Sequence, residues 1–249
     1  MFLDKIIALR NDRTVYRDGG QCLKVFEKNV SKSKIFTEAF NQTQAQCAGL
    51  NVPSISQITQ VDGKWAIVYD FVEGKSLTEI INENRPDTRR CLEKLVDLQT
   101  EMHTAKITEL PDLRDRLKKD IEKAQLRPEL KAELLKMLVT LPDGDGIFHG
   151  CFSPDNVILS DDGRYYIIDW THAAQGSIYA DAAATYLTFM LEGNNEFATA
   201  YLKIFSRRTQ SDVQLVRKWL PVIAASKLAY TNERERNILS PWLEAIYFE

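Results

Sequence analysis

The sequence predicts an α+β protein of two lobes: a small antiparallel-sheet lobe over residues 1–72 and a mainly helical lobe over residues 73–249. Three observations predict it. Short β-favouring runs separated by glycine-containing turns fill the first lobe. Beyond Val72-Glu73-Gly74-Lys75 the apolar residues recur at helical spacing instead. Within that helical part, two short apolar runs flank Asp161-Asp162-Gly163 and place one hairpin island there. The chain has 249 residues, enough for one large domain or two small lobes with a core.

Each element has its local reason. Arg13 to Asp18 and Gln21 to Glu27 are β-rich runs around Asp18-Gly19-Gly20, where glycine supplies the positive φ of a tight turn. Lys34 to Ala48 reads as a helix with Ile35, Ala39, Gln42 and Gln46 on successive turns, and Gly49 stops it. Ile55 to Val61 and Lys64 to Tyr69 form a second hairpin around Asp62-Gly63. The hinge falls near Asp70 to Gly74. Ser76 caps a short helix to Asn82, and Thr88 to Thr104 carries the stripe Leu92, Leu95, Val96, Gln99 and Met102. Leu113 to Ala124 and Pro128 to Thr140 follow as amphipathic helices. Gly146 to His149, Asn156 to Ser160 and Tyr165 to Trp170 read as short strands, and helices run from Ala180 to near Phe248.

Composition narrows the function classes. With 44% hydrophobic and 27% charged residues and a net charge of -3, the chain is ordinary for a globular protein and lacks the basic excess of a nucleic-acid binder. Arg207-Arg208 reads as a solvated helix end, and the dispersed Trp residues make no base-stacking platform. No run reaches the roughly 18 apolar residues of a membrane helix. The apolar start is broken by Asp4, Lys5 and Arg10, unlike a signal peptide, so the cytoplasm is the expected location. Cys22, Cys47, Cys91 and Cys151 are scattered and read as free thiols.

Chemistry concentrates in His149-Gly150-Cys151-Phe152-Ser153-Pro154-Asp155-Asn156 and, downstream, Ile167-Ile168-Asp169-Trp170. Two short strands around a turn let Asn156 and Asp169 face one another. An amide oxygen and a carboxylate together suit a hard cation such as Mg²⁺, which in turn bridges phosphate oxygens. In the first lobe, Cys22-Leu23-Lys24-Val25-Phe26 is an alternating strand that projects Lys24 to one face.

The loop resembles that of the aminoglycoside phosphotransferase and choline kinase family, written H-G-D-x-x-x-x-N with a downstream I-D-W or I-D-F. Ala173, Gly176 and Asp181 continue the family pattern, and the resemblance runs from about Val15 to Leu187. It implies a protein-kinase-like fold and an ATP- or GTP-dependent, Mg²⁺-dependent transfer of phosphate to a hydroxyl of a small molecule. By that resemblance Asn156 and Asp169 hold the metal, Asp181 ties down the catalytic loop and His149 shapes it. Lys24 contacts phosphate with Glu38 as its ion-pair partner. The backbone of Asp70, Phe71 and Val72 binds the base edge, with Leu159 and Ile168 as the floor. Asn11-Asp12-Arg13-Thr14 stands where relatives often carry a glycine-containing phosphate loop, which leaves that contact to the Thr14 hydroxyl or the backbone.

Two positions depart from the pattern: Ser153 stands where many relatives have His, and Cys151 stands where the family has its catalytic Asp. A thiol is a weak proton acceptor. Losing a general base costs roughly 10²- to 10⁴-fold, while phosphoryl transfer relies mostly on positioning and electrostatics. The chain is thus expected to be a kinase of low activity, or alternatively a nucleotide-binding pseudokinase with a regulatory or scaffolding role. Asp155 is the nearest carboxylate that could substitute. His103 and His172 read as a packed and an exposed residue. Glu192, Glu196, Glu233, Glu235 and Glu244 could line a site for a cationic amine but read better as solvated helix faces.

Overall fold

The computed structural model describes residues 5–10 and 12–244; Asn11 and the helix end expected near Phe248 lie outside these residues. In chain order, β1 (Lys5–Arg10), β2 (Arg13–Asp18) and β3 (Gln21–Phe26) precede α1 (Lys32–Cys47), and β4 (Ile55–Val61) and β5 (Lys64–Asp70) follow it. Next come β6 (Gly74–Ser76), α2 (Leu77–Glu83), α3 (Thr88–Thr104), α4 (Leu113–Lys123), α5 (Pro128–Thr140) and β7 (Gly146–Phe148). A 3-10 turn over Pro154–Asn156 leads into β8 (Val157–Ser160) and β9 (Tyr165–Ile167), and another over Trp170–His172 leads into β10 (Ala174–Gly176). The chain continues through α6 (Ile178–Leu191), α7 (Asn195–Thr209), α8 (Val213–Arg217), α9 (Leu220–Leu228) and α10 (Glu233–Glu244). Among the described residues no helix is long and apolar enough to cross a membrane.

The residues group into two compact units, Met1–Glu83 with Pro154–His172 and Asn84–Ser153 with Ala173–Glu249. In the first, an antiparallel sheet has the order β1-β2-β3-β5-β4. Strand alternation sorts its residues. Leu23 and Val25 of β3 pack with Ala66 and Val68 of β5 on one face. Phe26 of β3 packs with Ile67 and Tyr69 of β5 and with Ile35 and Ala39 of α1 on the other. Lys24 sits opposite Ile67 in the β3–β5 register and therefore belongs to the α1 side.

Ser31 caps α1, its Oγ accepting from Lys34 N at 3.3 Å, so the helix begins two residues before the expected Lys34. Its inner face carries Glu38 and Asn41 as well as Ile35, Ala39 and Gln42, whereas Gln46 is exposed. Ser76 and Glu79 form a reciprocal cap at the start of α2: Glu79 N donates to Ser76 Oγ at 3.1 Å and Ser76 N to Glu79 Oε2 at 2.7 Å.

The hairpin island lies in the first unit, not with the helices, because β6 pairs with β8 in a three-stranded sheet of order β6-β8-β9. The last island strand ends at Ile167, short of the expected Trp170, because Asp169 adopts φ 66, which leaves the strand conformation. In the second unit the helices enclose a core that includes Leu95, Leu117, Leu187 and Phe205, and β7 pairs with β10. The stripe expected on α3 is its buried side.

Candidate active site

A cavity of about 500 Å³ opens in the first unit, and Lys24, Glu38, Asn156 and Asp169 all line it. Lys24 Nζ donates to Glu38 Oε1 at 2.5 Å and to Asp169 Oδ1 at 3.0 Å. Glu38 is 1% exposed and also accepts from Tyr69 OH at 2.9 Å. Thr171 Oγ1 lies 2.7 Å from Glu38 Oε2 and 2.6 Å from Asp169 Oδ1. A hydroxyl has one proton, so it donates to one carboxylate at a time.

Charges set the protonation states. Burial pushes the Asp169 carboxyl up, but Lys24 and Arg13 outweigh it and hold the group well below the usual carboxylate range. Burial alone would depress Lys24, but the carboxylates of Asp169 and Glu38 outweigh it and raise the amine. Lys24 is thus a cation and Asp169 an anion at neutral pH. The neighbouring Cys22 thiol is pushed up to about 11, by burial above all, and is inert. The φ of 66 at Asp169 is an uncommon conformation for a residue with a Cβ. Ile168 N donating to Asn156 O at 3.0 Å, together with the ion pairs on the carboxylate, fixes it.

Two features around Arg13, at the edge of this cavity, were not legible in the sequence. Arg13 donates through Nη2 to Asp169 Oδ2 at 2.8 Å and through Nη1 to Asp12 Oδ1 at 3.1 Å. Lys34 Nζ reaches Asp12 Oδ2 at 2.9 Å. The cavity floor also needs a correction: Ile158 and Ile168 line it, and Leu159 does not. Neighbouring residues of β8 point to opposite sides, so a slip of one position exchanges them. Asp70, Phe71 and Val72 all line the cavity. The N–H groups of Asp70 and Phe71 already donate to Ser54 O at 2.9 Å and Gly20 O at 2.8 Å, so a base edge must use other backbone groups of the segment.

The second unit holds the loop that begins at His149. His149 is fully buried, its Nδ1 accepts from Cys151 N at 3.3 Å, and its ring meets Phe152 edge-on at 5.6 Å. Asp181, in the first turn of α6 and also fully buried, accepts from Gly150 N at 2.8 Å. Gln99 Nε2 donates to Asp181 Oδ2 at 2.8 Å, and His103 Nε2 lies 3.0 Å from the same oxygen. Burial raises this carboxyl, but the His103 hydrogen bond and the nearby charges outweigh it and keep it low. Sequence reasoning placed Gln99 in an apolar stripe and His103 in packing. Their i, i+4 spacing on α3 was the available signal that both face one partner.

Cys151 is half-buried and within electrostatic reach of Arg116 and Lys227. Lys227 Nζ donates to Thr188 Oγ1 at 3.2 Å, and its amine is depressed by burial. Of the acidic residues considered for a cationic amine, Glu192, Glu196 and Glu233 are exposed. Glu235 accepts from Asn232 N at 3.1 Å in a helix cap. Among the described residues no group of three or more His, Cys, Asp or Glu gathers in a metal-binding cluster. Asn156 and Asp169 offer the cavity an amide oxygen and an ionised carboxylate, donors that a hard cation takes.

The family model described as "Phosphotransferase enzyme family" matches residues 8–214. No curated protein sequence matches the chain. Among solved structures, aminoglycoside phosphotransferase APH(4)-Ia, as a thermostable mutant in ternary complex with ADP and hygromycin B, is similar at 15% identity with a TM-score of 0.72, over 97% of this chain and 92% of that one. Choline kinase LicA from Streptococcus pneumoniae is similar at 15% identity with a TM-score of 0.69, over 100% and 94%. A choline/ethanolamine kinase family protein from Mesorhizobium loti is similar at 13% identity with a TM-score of 0.62, over 100% and 87%. At such identities the likeness establishes the protein-kinase-like fold.

Proposed function

The chain belongs to the phosphotransferase enzyme family, and from that premise we propose that it moves the terminal phosphoryl group of ATP or GTP to a hydroxyl of a small molecule. The observation that carries the reading is the buried Lys24–Glu38–Asp169 network, which shares one cavity with Asn156. Lys24, held between two carboxylates, is a fixed cation for phosphate oxygens. Asn156 and Asp169 would hold Mg²⁺; two protein oxygens suffice for an ion that keeps waters and takes phosphate oxygens as its other ligands. When bound, Mg²⁺ would neutralise charge on the phosphates. Asp70, Phe71 and Val72 with Ile168 would hold the base, and Glu38 orients Lys24. Asp181 and His149 hold the backbone at Gly150 and Cys151, where the family has its base.

In this reading residues 1–72 act as the nucleotide lobe and residues 73–249 carry the catalytic loop and metal ligands, although Asn156 and Asp169 fall in the first compact unit, and the protein works in the cytoplasm. The solved relatives named above include complexes with ADP and hygromycin B and a choline kinase. That likeness supports reading the acceptor of this chain as a small molecule. A second reading rests on Cys151: a pseudokinase that binds Mg·ATP and transfers nothing.

The test is Mg·ATP turnover by the natural chain and by Cys151→Asp against aminoglycosides, amino alcohols, sugars and nucleosides, with Lys24→Ala as control. Acceptor-dependent ADP release by the natural chain, lost in Lys24→Ala, supports the kinase. Tight Mg·ATP binding with turnover only in Cys151→Asp supports the pseudokinase. Absence of nucleotide binding sinks both.

A further inference from the structure

β1 pairs antiparallel with β2, and at the end of the ladder Arg10 and Arg13 stand directly opposite each other. Both line the cavity that holds Lys24 and Asp169. Like charges directly opposite on paired strands destabilise a hairpin. Such a pair is stable against its own repulsion when an anion sits between or beside the two guanidiniums. Arg13 has such anions now, in Asp169 at 2.8 Å and Asp12 at 3.1 Å. The carboxylates that line the cavity come from elsewhere, from Glu38, Asp70, Glu79, Asp155 and Asp169, whereas its cations come from this hairpin and from Lys24.

Lys24 and Arg13 differ in how tightly they are held. Lys24 has an 8% exposed side chain and lies between Glu38 and Asp169. The Arg13 side chain is 18% exposed, and one of its anions, Asp12, is itself 32% exposed and shared with Lys34. A guanidinium presents several donors in a fixed fork that matches a phosphate, so Arg13 can exchange a carboxylate for a phosphate without losing its hydrogen bonds.

We infer that Arg13, with Arg10 across the turn, is the polyphosphate clamp of this cavity. Its guanidinium turns from Asp169 to the terminal phosphates of the nucleotide, and this frees Asp169 Oδ2. The two side chains do here what backbone N–H groups do in a glycine-rich loop, which this turn lacks. The inference rests on the nucleotide reading above and adds to it the residues that count phosphates.

The experiment is calorimetric titration of the full chain with adenosine, ADP and ATP, without metal and with Mg²⁺, for the natural protein, Arg13→Gln, Arg13→Lys and Arg10→Gln. A charge-assisted bond removed from phosphate weakens binding roughly tenfold to a hundredfold. ATP affinity is expected to fall by that factor in Arg13→Gln, by less in Arg10→Gln, and to recover in part in Arg13→Lys. Adenosine affinity should stay within about twofold throughout, and the salt dependence of ATP binding should weaken in Arg13→Gln. Equal ATP affinity in Arg13→Gln and the natural chain overturns the clamp while leaving the nucleotide reading intact. Equal losses for adenosine and ATP also overturn it, because Arg13 then only shapes the cavity. If the natural chain binds neither adenosine nor ATP, the nucleotide reading fails and takes the clamp with it.

Discussion

Replacing Lys24 by Met removes the cation from the centre of the buried network while keeping its approximate length. Glu38 is 1% exposed and loses a partner at 2.5 Å, and Asp169 loses one at 3.0 Å. Breaking a buried ion pair from one side costs about 3–5 kcal/mol, because the abandoned charge stays out of water. For a chain of this size each kcal/mol lowers Tm by about 2–4 °C, so Lys24→Met should melt roughly 6–20 °C below the natural protein. Glu38→Leu should cost a similar amount, since it leaves Tyr69 OH as well as Lys24 without that acceptor. The double variant removes the Lys24–Glu38 pair as a unit, leaving Asp169 to Arg13 and Tyr69 OH without its acceptor, and swapping a buried pair for apolar side chains is often neutral. Its loss should therefore fall short of the sum of the single losses by about 2 kcal/mol. Differential scanning calorimetry of all four proteins without ligand measures this cycle. Losses that add to within about 0.5 kcal/mol would refute the coupling, and single variants that melt with the natural protein would refute the buried network itself.

Three further outcomes are expected. Asp181→Asn turns one acceptor oxygen into a donor facing the N–H groups of Gly150, Gln99 or His103, and should cost about 3 kcal/mol by thermal unfolding. Because the Asp181 and Asp169 carboxyls titrate below their ordinary value near 3.9, their contribution is complete above that pH and is lost as pH falls through the depressed folded values. Asp181→Asn should flatten that acid limb, seen as a smaller Tm drop between pH 5 and pH 3. Gly74→Ala would drive a Cβ onto the Leu159 carbonyl and to 2.6 Å from Ser160 Cα, so the β6–β8 pair must part. Overpacking of this kind costs about 1–3 kcal/mol, visible as faster amide exchange at Asp161, whose N–H donates to Glu73 O at 3.0 Å. Cys47 is exposed while Cys22 titrates at about 11, so iodoacetamide at pH 8 should label Cys47 well before Cys22, as peptide mass mapping would show.

What the sequence disclosed and what it hid follow a physical division. Asp62-Gly63 and Gly19-Gly20 set their turns locally, and Ser76 with Glu79 makes a cap from four consecutive residues, so these were legible. The α3 stripe was legible because its periodicity persists over the whole helix. β1 was missed because Ile6, Ile7 and Leu9 are all exposed on an edge strand, so burial imposes no alternation on it. β6 and β10 have three residues each and exist through partners far along the chain, Ser160 for Gly74 and Phe148 for Ala174. In the site, the Lys24–Glu38 pairing was visible through its resemblance to a known pattern. Arg13, Thr171, Gln99 and His103 were not, since each acquires its role from a partner that only folding brings near.

Cys151 decides what the assembled parts accomplish, and its surroundings bear on the choice. Asp181 is fully buried, and its Oδ1 takes its bond from Gly150 N, so the loop is part of what offsets its desolvation, beside Gln99 and His103. His149 in turn receives the Cys151 N–H. The backbone that presents position 151 is thus still constrained although the side chain has changed. Arg116 and Lys227 stand within electrostatic reach of that position, and the Asp181 carboxylate lies within reach of the same two cations. An aspartate installed at 151 would be presented by the same constrained backbone, so a gain of roughly 10²- to 10⁴-fold in Cys151→Asp is the expectation if a proton acceptor is all that is missing. The pH profile separates two ways of working without it. If the thiolate serves as base, turnover of the natural chain rises with pH through the thiol range and that rise vanishes in Cys151→Ser. If positioning alone carries the reaction, Cys151→Ser retains both the rate and the profile of the natural chain.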